Sequence, residues 1–385
     1  MPAQVIDADG HVIEPEEMFA SIDPEYCKRR PVAVTLPPDT EFGPSDKVWL
    51  VEGKIMPNIG GRGPTGRTTF FLPGSKLGKI SQASEGDQTL TDIPARLQGM
   101  DRFQVDQQVV YPTMFLASIA EDPKLEAALF RCYNDWMARA GDESGKRVRW
   151  MAVIPFRDPE LGVQEVRRVS QMGAAGVFTM GIIWEKQLSD PSFFPIYEAM
   201  SEEDLPLGVH LGWGSPKVTE VFTDSNSFFT SATIPVIWGF TYIMAHGLLG
   251  RFPKLRVGFI ESGSEWVPYT INQLRRRYRP PTVLRKPGSL KPGSLGGTSI
   301  EEDLYRDPVD WFKEGRAFVA CEPEEDLPYL INHIGEDGLM LSSDYPHGDP
   351  SADEPYVEKI AARTDVPERA KQKMLGENAA RFYRL

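Results

Sequence analysis

Histidine occurs only five times in this chain of 385 residues, so the position of each one carries information. Asp9 and His11 are separated by a single glycine in Asp7-Ala-Asp9-Gly-His11, and in an extended strand both side chains leave the same face. His210 closes Leu207-Gly-Val-His210, and Asp344 closes Leu341-Ser-Ser-Asp344, with His347 just beyond it. Two neutral imidazoles and two carboxylates suit one divalent ion that keeps positions open for water or substrate. Any one of these residues alone would be an ordinary buried group satisfied by backbone. All of them at strand ends of one polarity is a pattern that core packing does not explain.

Side chains so remote in sequence must be gathered by regular elements. Eight short β-branched runs bounded by turn residues alternate with helix-period segments. The runs are Val5 to His11, Gln107 to Pro112, Arg149 to Phe156, Gly176 to Met180, Pro206 to Leu211, Leu255 to Gly263, Ala317 to Pro323 and Leu339 to Tyr345. The helices between them are expected over Pro94 to Phe103, Pro123 to Ala140, Glu160 to Met172, Phe193 to Glu203, Ile234 to Leu249, Glu265 to Arg279 and Glu325 to Ile334, with a final pair from Pro355 to Tyr383. Eight alternations predict an α/β fold, a (β/α)8 TIM-like barrel, whose active sites sit at the strand C-terminal ends. Asp9, His11, His210 and Asp344 all fall there.

Two insertions interrupt the minimal barrel within a single domain spanning 1–385. Residues 28–92 follow the first strand, hold the hairpin-like Lys47 to Met56, and are expected over the C-terminal face. Residues 280–306 follow the sixth strand's helix and carry the tandem repeat Lys286-Pro-Gly-Ser-Leu290, Lys291-Pro-Gly-Ser-Leu295.

Composition narrows the partners. Lys+Arg 42 against Asp+Glu 55 leaves a net charge of −13, which repels phosphate backbones and anionic lipid. No stretch of about 18 apolar residues occurs, and the N-terminus reaches Asp7 and Asp9 before an apolar run of signal-peptide length, so neither a membrane span nor an export signal is expected. The three cysteines, Cys27, Cys132 and Cys321, lie far apart, which fits a reducing cytoplasm rather than a disulfide framework. Gly61-Arg-Gly63-Pro-Thr-Gly66 matches GxGxxG in letters, but it follows no plain strand and contains Pro64, so it predicts no dinucleotide site.

The opening Val5-Ile-Asp-Ala-Asp-Gly-His11-Val-Ile-Glu-Pro15, the strand Gly208-Val-His210, Arg251-Phe-Pro-Lys-Leu255 and Leu341-Ser-Ser-Asp-Tyr-Pro-His347 together resemble the amidohydrolase superfamily. The resemblance is to the branch of decarboxylases, hydratases and hydrolases similar to aminocarboxymuconate semialdehyde decarboxylase. It implies a distorted (β/α)8 barrel and a homodimer. It also implies Asp9, His11 and His210 as metal ligands, with Asp344 as ligand and possible base. Many relatives open with His-x-His. Asp9 replaces the first imidazole with an anionic oxygen, so among zinc, iron and manganese the harder ions gain, as does magnesium. At the end of strand six, where the decarboxylases carry a catalytic histidine, Glu261 stands instead.

That replacement motivates the favoured expectation, a metal-dependent hydrolase in which ion-activated water attacks an acyl derivative of a bulky or cyclic carboxylic acid. Glu261 or Asp344 would accept the water proton and His347 would relay it. Non-oxidative decarboxylation of an aromatic or unsaturated acid is the alternative, followed by a hydratase and by a non-catalytic ligand-binding barrel. The basic run Arg275-Arg-Arg277-Tyr-Arg279 through Lys291 is either a solvated helix end or an anchor for an anionic or carrier-linked substrate. His246 is expected near the barrel floor in a structural role and His333 on the exterior. Glu14 would orient His11 or solvate a loop, and Glu322 would line the pocket or form an ion pair.

Overall fold

All eight β-branched runs form strands in the computed structural model, which describes residues 4–37, 39, 47–56, 83–221, 228–278, 306–348 and 355–385. The strands are β1 (Ile6–Val12), β2 (Gln107–Pro112), β3 (Val148–Val153), β4 (Gly176–Met180), β5 (Leu207–His210), β6 (Val257–Ile260), β7 (Ala317–Cys321) and β8 (Leu339–Leu341). They lie parallel and hydrogen-bond in chain order, the topology of an α/β TIM-like barrel. Helices α1 (Ile93–Arg102), α2 (Pro123–Glu143), α3 (Pro159–Gln171), α4 (Phe194–Glu203), α5 (Ile234–Ala245), α6 (Trp266–Tyr278) and α7 (Leu327–Ile334) occupy the connections. Several begin the same way: Asp122, Asp158 and Asp326 accept a first-turn N–H, and a proline stands in the first turn.

The seam between β8 and β1 is closed beyond the regular strand ends. Asp344 N–H donates to Asp9 O at 2.9 Å, and His11 N–H donates to Tyr345 O at 2.7 Å. Below the mouth the barrel is plugged by aromatic side chains. Tyr383, from the C-terminal helix Asn378–Tyr383, donates to Ala8 O at 2.7 Å and lies 2.9 Å from the Tyr111 hydroxyl.

The hairpin expected after β1 forms the three-stranded antiparallel sheet Val32–Thr35, Lys47–Val51 and Lys54–Met56. Glu52 accepts the Glu121 N–H at 2.9 Å, and Arg29 pairs with both Glu52 and Asp122, so this sheet docks on the segment after β2, at the C-terminal face. Two expected elements end early. The sixth strand stops at Ile260 rather than Gly263, because Glu261 turns into the left-handed region with φ +52°. The helix expected to reach Leu249 ends at Ala245, and Gly247 with φ +63° starts the separate turn Leu248–Arg251. The 61–66 motif and the 286–295 repeat lie outside the described residues, as does the basic run beyond α6. Arg275 within it pairs with Asp307 at 2.7 Å. Among the described residues no helix is long and apolar enough to cross a membrane.

Candidate metal centre

β1 brings Asp9 and His11 to the mouth on one face, and β5 brings His210 opposite them. All three are fully buried. Asp9 Oδ1 lies 3.4 Å from His11 Nε2 and 3.3 Å from His210 Nε2. The other ring nitrogen of each imidazole faces a carbonyl: His11 Nδ1 lies 3.0 Å from Pro112 O and His210 Nδ1 2.8 Å from Leu211 O. A carbonyl only accepts, so Nδ1 carries the hydrogen in both rings and Nε2 presents a lone pair to the centre, as a metal-binding histidine must.

Two carboxylates complete the cluster from unusual backbone. In the β5/β6 register His210 pairs with Ile260, so alternation alone would send the next residue outward. The left-handed φ of Glu261 instead turns its carboxylate inward, with Oε2 at 3.3 Å from His210 Nε2 and 3.7 Å from His11 Nε2. Asp344 also has a left-handed φ, +54°, and its Oδ1 lies 3.3 Å from His11 Nε2. Non-glycine residues in this region are strained, and such strain gathers at functional sites. Ligand atoms of Asp9, His11, His210 and Glu261 lie within 4.8 Å of one another, as do those of the overlapping set His11, Glu261, Asp344 and His347.

This donor set fits a divalent cation. Asp9 Oδ2 and His11 Nε2 are buried without a hydrogen-bond partner among the described residues. Across the two sets three carboxylates meet three imidazoles, and the negative charge needs compensation. Burial pulls the His11 pKa down, but the Asp9 and Glu261 carboxylates outweigh it and push it up to about 10. Burial would raise Asp9, yet the charges of His210 and His11 hold it below the usual carboxylate range. A bound cation meets the same demand without a proton.

His347 packs flat on His11, with ring centroids 4.0 Å apart and planes at 24°. Its Nδ1 lies 2.9 Å from Asp344 Oδ1, and its Nε2 lies 2.9 Å from the Thr113 hydroxyl. Glu14 is fully buried and accepts the N–H groups of Thr113 and Met114 at 3.0 and 2.7 Å. It therefore fixes the turn that supports both histidine rings, and it does not bond to His11 directly. Burial pushes Glu14 up to about 7, against the pull of those backbone donors.

A polar network behind β1 escapes sequence reasoning. Arg96 of α1 is fully buried and donates to His11 O at 2.8 Å, Tyr345 O at 3.3 Å, Gln108 Oε1 at 2.8 Å and Asp87 at 3.5 Å. Asp7 accepts from Gln108 at 2.6 Å and from the Ser343 N–H and hydroxyl at 2.9 and 2.6 Å. Gly10 leaves room for this network, since a Cβ there would sit 2.5 Å from the Gln108 amide nitrogen. Asp7 stands one strand period before Asp9, the only signal that could have singled it out.

Of the remaining candidates, His246 and His333 lie outside the cluster and Glu322 borders it. His246 is the half-buried cap of α5, its ring 5.6 Å from that of Tyr242. His333 is exposed, with Nδ1 2.8 Å from Tyr329 O. Glu322 is exposed at the rim of a small recess that also touches Asp9, Glu261 and Asp344.

Comparison with known proteins decides the family. The family model described as Amidohydrolase matches residues 6–385. The chain belongs to the amidohydrolase family. Among curated members it is 25% identical over 303 residues to the 2-amino-3-carboxymuconate-6-semialdehyde decarboxylase of Dictyostelium discoideum, covering 77% of this chain and 78% of that protein. It is 22% identical over 269 residues to the gamma-resorcylate decarboxylase of Polaromonas sp. strain JS666, covering 66% and 75%. The barrel superposes on an amidohydrolase from Mycobacterium avium subsp. paratuberculosis K-10 with a TM-score of 0.74 at 21% identity, covering 100% and 98% of the two chains. A 5-carboxyvanillate decarboxylase from Novosphingobium aromaticivorans, solved with manganese and 4-hydroxy-3-methoxy-5-nitrobenzoic acid, aligns over 75% of this chain and 79% of its own, at TM-score 0.60 and 19% identity.

These relatives correct the expectation of acyl hydrolysis, because the similar curated proteins are decarboxylases. The hydrolase expectation rests on Glu261 acting as a base for water. Its carboxylate instead lies against His210 and His11 inside the ligand cluster, where its chemical type does not favour hydrolysis over decarboxylation. The expectation of a divalent metal ion stands, on the buried donor cluster and the manganese of the related structure.

Proposed function

We propose that this enzyme is a metal-dependent, non-oxidative decarboxylase of a small aromatic or unsaturated carboxylic acid. The observation that carries this reading is its similarity, over 77% and 66% of the chain, to two curated decarboxylases. A divalent ion bound at the centre would supply positive charge to offset the negative charge of the substrate carboxylate. Asp9, His11, His210 and Glu261 would hold that ion, the imidazoles through Nε2. Losing CO2 breaks the bond between the carboxyl carbon and the ring or chain carbon, and a proton must take its place. Asp344, hydrogen-bonded to His347 and through it to Thr113, is the group that would carry that proton. The same reading includes a homodimer in the cytoplasm, in keeping with the family likeness and the three free cysteines. The carrier-linked substrate rests on the basic run from Arg275 to Lys291, most of which lies outside the described residues.

The test is a panel of hydroxybenzoates incubated with manganese-loaded protein, with CO2 and the matching phenol measured together. Stoichiometric release of both is expected. Release of free acid from aryl esters or thioesters, with no CO2 from any acid, would overturn the proposal.

A further inference from the structure

We propose that the acid carries a neutral apolar extension, a second ring or a group of similar bulk, seated in a recess on the β2 to β5 side of the barrel mouth. This rests on the decarboxylase reading for which end of the acid meets the ion, and on geometry for the rest. The inner part of the recess is walled by Phe115, Phe156, Phe178, Met180, Ile183 and Trp184. The Phe178 ring lies 5.9 Å from that of His210, so this one side chain both walls the recess and borders the ligand cluster. It continues past Ala117, Ser118 and Trp184 into an outer cavity of about 210 Å³, bounded by Met56 of the hairpin and by Trp213. An apolar cavity of roughly 150 Å³ already takes a benzene molecule, so the outer chamber has room for a ring.

The walls are preformed. Trp213 N–H donates to Leu116 O at 2.6 Å, Ser118 N–H to Trp213 O at 3.2 Å, and Trp184 N–H to Gly214 O at 2.6 Å, which ties the turns after β2, β4 and β5 together. Only glycine fits at 214, where a Cβ would stand 1.9 Å from Ile182 O.

Charge decides what the recess accepts. The Arg157 guanidinium lies 3.9 Å over the Trp184 ring, but its donors go to Ala120 O, Glu121 O and the Glu126 carboxylate at 3.0, 2.6 and 3.3 Å. Lys54, at the outer edge, pairs with Glu121. Both cations among the described lining residues are thus matched, and Glu220 adds an acid. A second carboxylate would be desolvated there without a counter-ion, whereas a phenyl or alkyl group gains by burial.

The experiment measures binding by quenching of tryptophan fluorescence in manganese-loaded protein at pH 8, above the value of about 7 to which burial raises Glu126. The probes are salicylate, its 4-phenyl and 5-phenyl derivatives, and 4-carboxysalicylate. At least one phenyl derivative should bind tighter than salicylate by about tenfold or more, a gain typical of burying a ring, and the dicarboxylate should bind no tighter than salicylate. Ala117→Leu and Met180→Trp, each checked for a wild-type circular dichroism spectrum, should abolish the phenyl gain and leave salicylate affinity unchanged. The proposal is overturned if neither phenyl acid gains, if the dicarboxylate binds best, if none of the probes binds, or if the gain survives both variants. Because binding is read without turnover, a phenyl gain supports the recess whether or not CO2 is released, so failure of the recess and failure of the decarboxylase reading are told apart.

Discussion

Asp9 and Glu261 supply anionic oxygen to a centre whose two imidazoles already point their lone pairs inward. If they hold the ion, replacing either carboxylate by its amide removes a full negative charge from the donor set while keeping its shape. Asp9→Asn and Glu261→Gln should each weaken manganese binding by at least roughly the tenfold that loss of a mere supporting partner costs. Equilibrium dialysis with elemental analysis reads this directly, and unchanged affinity in both variants would remove them from the ligand set. A second residue-scale prediction concerns Glu126. Burial pushes its carboxyl from 4.5 up to about 7, against the opposing pull of Arg157. The folded chain then holds this proton more tightly than the unfolded chain. The associated stability is present in full below pH 4.5 and is lost as the pH rises through about 7. Glu126→Gln mimics the protonated form at every pH. The Tm of wild type minus that of the variant should therefore fall by a few degrees between pH 5 and pH 8, and calorimetry showing a constant difference would contradict the assignment.

At the scale of elements, α1 acts on the site through backbone carbonyls. Arg96 ties the His11 carbonyl of β1 to the Tyr345 carbonyl after β8, and its guanidinium is matched inside by Asp87 and Gln108. Removing one partner of a buried pair typically costs about 3–5 kcal/mol, so Arg96→Met should lower Tm sharply. If the arginine positions the site, Arg96→Lys, which keeps the charge and loses the fork, should recover most of that stability yet bind manganese more weakly. Full recovery of metal affinity would make Arg96 a stability residue only. This linkage explains the limits of what the sequence displays. The strands are legible because β-branched runs alternate with segments opened by Asp and Pro, and His11 and His210 are legible because they close two such runs. Glu261 is only half legible: its proximity to strand six is visible, but the left-handed turn that reverses its direction leaves no mark in a non-glycine residue. Arg96 is not legible at all. It reads as one more cation in an amphipathic helix, and two of its acceptors are main-chain oxygens that no residue type announces.

At the scale of the whole molecule, the four residues proposed to hold the ion come from β1, β5 and the end of β6, so a bound ion would tie distant parts of one ring together. Ligand that binds only the folded state stabilises it by about 2.7 kcal/mol at one hundred times Kd. Chelation should therefore lower Tm by several degrees and abolish turnover, and manganese should restore both. An unchanged Tm after metal analysis confirms depletion would argue against an ion held across the ring.

The first and last strands meet through amides that flank the acidic residues of the centre, Asp344 N–H on Asp9 O and His11 N–H on Tyr345 O. The clasp of the barrel and the seat of its chemistry are thus the same few peptide units. Because those bonds are made by main-chain atoms, an exchange of side chain at position 9 or 344 can retune the centre and leave the clasp's donors and acceptors in place.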